Sequence, residues 1–320
     1  MRPRADPPEQ DARARYERKV DRLSDLSGAN PHDAYEDVPW DEPGFELDPT
    51  DPRLRLFSFD PLARTRWYHQ LEPIEQARVG LRRQGVNLRI GWEFENYLQQ
   101  GLLARALRMD NTDVAFRYHQ YEVAEESHHS MMFYEFVRRY APEVRGMPGA
   151  LKTLTNPTVQ VACRRYPALF FFLVLGGEVP IDHVQRLVLK EEQVHPLLER
   201  IMRIHVEEEA RHVGFANLEL RRLVPRMTDQ GRRVLARLVP ETLGIEARLM
   251  LYPSPWQVRH EQVPKAQLKA AYRHPETHRL RTESVARIRK LCDELGLLTP
   301  EAQRHWERVG LWAEPKRRAA

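Results

Sequence analysis

Four acidic and three imidazole side chains, spread over four helical stretches, carry the chemistry this sequence can support. The run IHVEEEARH places His205, Glu209 and His212 within roughly 60° of one another on one helical face. EVAEESHHSMMF puts Glu126 and His129 three residues apart on a shared face, LVLGGEVPID carries Glu178, and WEFENYL carries Glu95. A carboxylate on a long helix ordinarily faces water. Glu95, however, lies on a stripe with Leu88, Trp92, Leu98, Leu102 and Ala106, and Glu178 has Phe171, Val174, Leu175 and Ile181 around it. Its neighbour Glu93 shares a face with Arg89, Asn96 and Gln100 and is expected in water. A buried charge needs a partner, and a metal ion is one that satisfies several carboxylates at once. Glu from each of two helices with Glu-x-x-His from each of two others is the donor set of a two-metal site in a four-helix bundle. Glu95 and Glu178 supply the first kind, Glu126/His129 and Glu209/His212 the second, and His205 adds a third imidazole one turn before Glu209. Oxygen and imidazole donors without thiolate favour iron or manganese. The spacing leaves Glu125 with His128, and Glu208 beside Glu209, as rivals one residue away. Asp182 and Glu122, each one turn from a candidate ligand, are expected to orient the histidines.

Helices must bring these residues to one level. The pattern predicts a short and then a long helix over Ile74–Met109 with a break near Gly85, a second over Asp113–Tyr140, a connection over Pro142–Asn156, a third over Thr158–Leu189 kinked at Pro180, and a fourth over Glu192–Leu223. Shorter segments follow at about 227–250, 265–273, 278–296 and 300–312. With the first two helices antiparallel about Asn111, Glu95 stands 16 residues before the turn and Glu126 15 after it. About a turn near Glu191, Glu178 stands 13 before and His205 14 after. All four then meet at mid-bundle. Period-2 patterns are scarce, so the fold is all-α.

Ten of the 24 prolines lie in the first 73 residues, and His32–Asp60 carries nine acidic side chains against Arg53 and Arg55. Residues 1–70 therefore read as an extended, partly disordered arm, pinned in its second half by Trp40, Phe45, Leu54, Leu56, Phe57 and Phe59. Residues 71–255 read as the metal-binding bundle and 256–320 as a helical extension packed on it. Two distant cysteines, Cys163 and Cys292, exclude a disulfide framework or a thiolate cluster. The basic residues are dispersed despite a net charge of +4, which argues against nucleic acid. No apolar run approaches the roughly 20 residues of a membrane span, and no apolar leader opens the chain, so a cytoplasmic, membrane-free protein is expected.

FENYLQQGLL, EESHHSMMF, the Gly-Gly-Glu at 176–178 and HVEEEARHVGFA together resemble the non-haem diiron oxygenases typified by p-aminobenzoate N-oxygenase, over about residues 75–225. The His-x-x-x-Glu-x-x-His run sets that family apart from ferritins and rubrerythrins. The resemblance implies a ferritin-like bundle, a homodimer, and seven metal ligands at Glu95, Glu126, His129, Glu178, His205, Glu209 and His212. It selects Glu126 over Glu125, Glu95 over Glu93 and Glu209 over Glu208. It further implies two iron ions, with manganese as the other metal, that react with O2 and oxygenate a small organic substrate. N-oxygenation of an arylamine is the leading reaction, C–H hydroxylation the runner-up, and non-catalytic iron or manganese binding the alternative outside catalysis. No flavin- or nicotinamide-binding pattern is present, so electrons are expected from an external ferredoxin or reductase.

Overall fold

The computed structural model describes residues 7–312. Among these residues it is all-α, with no strand. In chain order the helices are α1 (Pro7–Ala29), α2 (Arg66–His69), α3 (Pro73–Ala106), α4 (Ala115–Tyr140), α5 (Gly149–Arg165), α6 (Pro167–Val188) and α7 (Pro196–Leu223). There follow α8 (Asp229–Leu251), α9 (Pro255–His260), α10 (Lys265–Arg273), α11 (Pro275–Ser284), α12 (Ala286–Glu294) and α13 (Pro300–Arg308). The four-helix bundle consists of α3, α4, α6 and α7, with α3 packed on α4 and α6 on α7.

Helix α3 runs unbroken through Gly85, against the expected break. A Cβ at Gly85 would lie 2.6 Å from the Cβ of Ala141, so the glycine lets α3 approach the end of α4 and does not end a helix. The segment expected as one helix over Thr158–Leu189 is two. The chain turns at Tyr166, which leaves helical geometry (φ −134°, ψ 61°) because the following proline disfavours it. Pro167 then opens α6, and Pro180 lies inside that helix. The segment expected over 278–296 likewise divides, at Val285.

Helix α6 is, by length and composition alone, apolar enough to cross a membrane. Its apolarity has another cause, since 67% of its most apolar 18-residue stretch is buried inside the protein and both Glu178 and Asp182 lie along the helix. A helix that is apolar nearly all round belongs in a core.

The expected extended arm contains a helix. Of the arm's prolines only Pro7 and Pro8 fall within α1, in its first turn, where a missing N–H is tolerated. Val20, Ser24 and Ser27 of α1 are buried, and the helix packs on α4 and α7. Residues 1–6 lie outside the described residues. From residue 30 to residue 72 the chain is mostly irregular, yet Trp40, Leu54, Leu56 and Phe57 are buried and Phe45 and Phe59 pack against them, as the sequence suggests. Arg83 of α3 clamps this segment, donating to Asp60 at 2.8 Å and to the carbonyls of Met250 and Tyr252. At the other end of the chain, Leu280, Ile288, Leu291 and Trp306 share one core with Phe171 and Phe215 of the bundle. Both cysteines are buried and free.

Candidate metal centre

The four bundle helices deliver all seven expected side chains to one place. Donor atoms of Glu95, His129, His205 and Glu209 lie within 4.8 Å of one another, as do those of Glu126, His129, Glu209 and His212, and those of Glu95, Glu126 and Glu178. The groups share members, so they form one continuous cluster. Glu95 is 2% exposed and the other six are fully buried.

The imidazoles are oriented. His129 turns Nδ1 inward, 3.0 Å from Glu126 and 3.4 Å from Glu209, and its Nε2 donates outward to Glu208 at 2.8 Å. His212 does the same: Nδ1 lies 2.9 Å from Glu126 and 3.1 Å from Glu209, and Nε2 donates to Glu125 at 2.7 Å. His205 reaches in from the level above, with Nε2 3.5 Å from Glu95. Glu208 and Glu125, the near-miss neighbours in the sequence, thus face away from the centre and fix the two rings. Arg211 donates to Glu125 at 2.6 Å and lies 3.4 Å from Glu208. Ser27 of α1 receives a bond from Arg211, and His32 lies 3.1 Å from Glu208, so the N-terminal segment closes this outer layer.

Three expectations fail here. Asp182 pairs with Arg186 and Arg287, away from the histidines. Glu122 is buried with neither carboxylate oxygen bonded. Glu93 is buried, held by Arg89, Lys152 and the Met147 N–H. Its partners beyond Arg89 come from the connection after α4 and from α5, which helical periodicity does not see.

Without an ion the centre is electrostatically frustrated. Burial and the neighbouring carboxylates push Glu95 and Glu178 well above the ordinary carboxylate range. Burial also works against Glu126, but His212 and His129 outweigh it and hold that group well below. For His129, burial alone would favour the neutral ring; Glu126 and Glu208 overcome it and raise the pKa to about 10. Burial and the adjacent His129 keep His205 neutral, well below the ordinary imidazole value. Both oxygens of Glu178, Oε2 of Glu95, Oε2 of Glu209 and Nδ1 of His205 are buried without a hydrogen-bond partner. Such groups are expensive unless something binds them. Two divalent cations fit the donor set: the four carboxylates and three neutral imidazoles would balance their charge to zero. The donors, oxygen and imidazole without sulfur, suit iron or manganese.

A helical bundle whose core gathers carboxylates and imidazoles from four helices defines a dimetal-type, ferritin-like protein. The sequence model of p-aminobenzoate N-oxygenase AurF matches residues 13–296, nearly the whole chain, and the protein belongs to that family. Two relatives are 34% identical over 306 residues, covering 95% of this chain and 90% of their own length: an uncharacterized protein of Mycobacterium tuberculosis (strain CDC 1551) and one of Mycobacterium bovis. No solved structure matches the chain. The family is one of diiron, oxygenase-type enzymes, and the buried acidic and histidine residues offer a place for the metal.

Proposed function

We propose that this protein is a diiron monooxygenase that uses O2 to oxygenate a small organic substrate, with N-oxygenation of an arylamine as its reaction. Glu95, Glu126, His129, Glu178, His205, Glu209 and His212 would hold two irons, which when bound supply O2 reduction and oxygen insertion. For a primary amine the balance is RNH2 + O2 + 2 e− + 2 H+ → RNHOH + H2O, with the electrons from an external ferredoxin or reductase. The observation that carries the reading is the cluster of buried, unpartnered carboxylate oxygens beside an apolar space. That space, of about 30 Å3, borders Glu95, Glu178 and His205 and is otherwise lined chiefly by Phe94, Phe133, Ile181 and Met202. Glu208 and Glu125 fix the rings of His129 and His212, so the donors are set before any ligand arrives. The aliphatic and aromatic wall excludes water from the reacting end of the substrate. A wall this apolar also suits C–H hydroxylation, the second reading; a protein that only stores metal has no use for it.

The test is anaerobic loading with ferrous iron, a count of iron per chain, and rapid mixing with O2 with and without arylamines. Two irons per chain, a transient visible absorption, and its faster decay with arylamine are the expected results. Acceleration by hydrocarbons alone would move the reading to hydroxylation. Oxidation straight to a featureless ferric product would move it to metal handling, and a chain that takes up no metal would end it.

A further inference from the structure

The Gly-Gly-Glu of α6 places one carboxylate at the centre, and its two glycines have a separate use. A Cβ at Gly177 would come within 1.8 Å of the Phe94 ring, and one at Gly176 within 1.8 Å of Glu246 Oε2. The glycines therefore make room for two side chains, one from α3 and one from α8. Phe94, lying on Gly177, stands with Ile90 and Met250 in the wall shared by the small space beside the centre and a larger chamber of about 140 Å3. Leu154 and Ile245, both exposed, line that chamber and mark its mouth between α5 and α8. Its volume is close to that of an engineered apolar cavity that binds benzene, roughly 150 Å3.

The chamber is apolar, relieved by threonine hydroxyls and the Tyr97 phenol, and Glu246 is its ionisable carboxylate. No Lys, Arg or His lines it among the described residues. Glu246 Oε2 is shielded from solvent and has no hydrogen-bond partner. Burial pushes the carboxyl well above its usual range, with no charged neighbour contributing. As the neutral acid it offers an O–H and acceptor lone pairs; facing an amine, it can ionise and pair. Facing a carboxylate, it has nothing to offer that a cation would not do better, and an anion placed here would be desolvated without a counter-charge.

Building on the oxygenase reading, we propose that the larger chamber holds the substrate and that Glu246 anchors its far end. The chamber then selects an apolar one-ring molecule ending in an uncharged or cationic hydrogen-bond donor, an amine or an alcohol, over one ending in a carboxylate. Glu246 is a specificity residue, and Gly176 is the residue that lets it lie where it does. The family's eponymous substrate, p-aminobenzoate, is the wrong charge for this chamber.

The experiment is calorimetric titration of the full-length, iron-loaded protein without air, so that no turnover occurs. The probes are 4-(aminomethyl)aniline, 4-aminobenzyl alcohol and p-aminobenzoate, which differ only at the end away from the arylamine. The wild type is expected to bind the first two at least tenfold tighter than the third. Glu246→Gln, nearly isosteric, should keep the alcohol within a few-fold and weaken the aminomethyl compound about tenfold. Glu246→Leu and Gly176→Ala should both bring the three affinities together. Equal or tighter binding of p-aminobenzoate, an unchanged preference in Glu246→Leu, or no binding of any probe overturns the proposal. Iron is counted in the same samples. Iron present with no preference removes the anchor alone, whereas a wild type without iron removes the oxygenase reading beneath it.

Discussion

Two of the buried carboxylates of helix α7, Glu209 and Glu219, stand ten residues apart and are treated in opposite ways. Glu219 is satisfied by protein: Tyr16 donates to Oε1 at 2.5 Å, and Arg222 and Arg105 reach Oε2 at 2.7 and 3.3 Å. Glu209 has imidazoles on one oxygen and nothing on the other. Glu219 is as deeply buried as Glu209, so burial does not tell a carboxylate left open at the centre from one held by protein. The partners do. At one end of the bundle cations complete the shell; at its middle the shell is left for something that is not protein.

Substitutions should separate the two regions. Glu178→Ala is expected to abolish the reaction with O2 and reduce iron from two per chain to one or none, while metal-free stability stays level or rises, because two unpartnered oxygens are removed. Iron analysis and denaturant melts of the same sample check both halves. Glu219→Ala should do the reverse: iron stays, and stability falls by about 3 kcal/mol or more because Arg222 and Arg105 lose their partner in a buried network. If Glu219→Ala loses iron with its fold intact, the comparison is broken. A subtler change, Glu208→Gln, replaces the carboxylate behind His129 with a neutral, weaker acceptor and should weaken iron binding roughly tenfold to a hundredfold, read by competition with a chelator.

Protons sharpen the contrast further. The His129 pKa stands at about 10 without metal and that of His212 is raised as well, so both rings are protonated near neutral pH. Iron bound at the proposed ligands would have to expel those protons. Loading in weak buffer should acidify the solution by about two protons or more per pair of irons, and affinity should fall as pH is lowered. Near Glu219 the opposite shift rules. Burial holds His119 down at about 4, so this residue binds its proton more readily in the unfolded chain. Its contribution is complete above the unfolded value of about 6.5 and is lost as pH falls toward 4, the loss reaching roughly 1–2 kcal/mol near pH 5.5. His119→Leu should flatten the acid limb of the stability profile by about that much and leave iron binding alone.

The seven residues at the centre were legible in the sequence because helices translate spacing into direction and height. Glu95 and Glu178 betrayed themselves by their apolar neighbours, and the two Glu-x-x-His pairs by their period. What sat one residue away was harder. Glu125 repeats the Glu-x-x-His spacing with His128 and Glu208 stands beside Glu209, and only the rotation of the helices sends both outward to hold the rings. Glu122 and Asp182 satisfied the same one-turn rule and play no such part. Glu93 misled because Lys152 and the Met147 N–H come from elements distant in sequence. Helix α1 was hidden by the arm's prolines, yet only Pro7 and Pro8 sit in it, in the first turn, where they do no harm. Glu246 lay outside every motif; the signal that could have found it was the pair of glycines at 176–177, whose missing side chains mark room kept for others.

The contact of His32 and Ser27 with the layer behind the imidazoles gives the N-terminal segment a stake in the centre. Coupling between two equilibria runs equally in both directions. Whatever steadies the rings from inside steadies the docking of α1, and whatever lifts α1 away would slacken the hold on any ion bound there. Residues 27–32 in effect form a clasp, so that filling of the core and docking of α1 would belong to a single thermodynamic cycle.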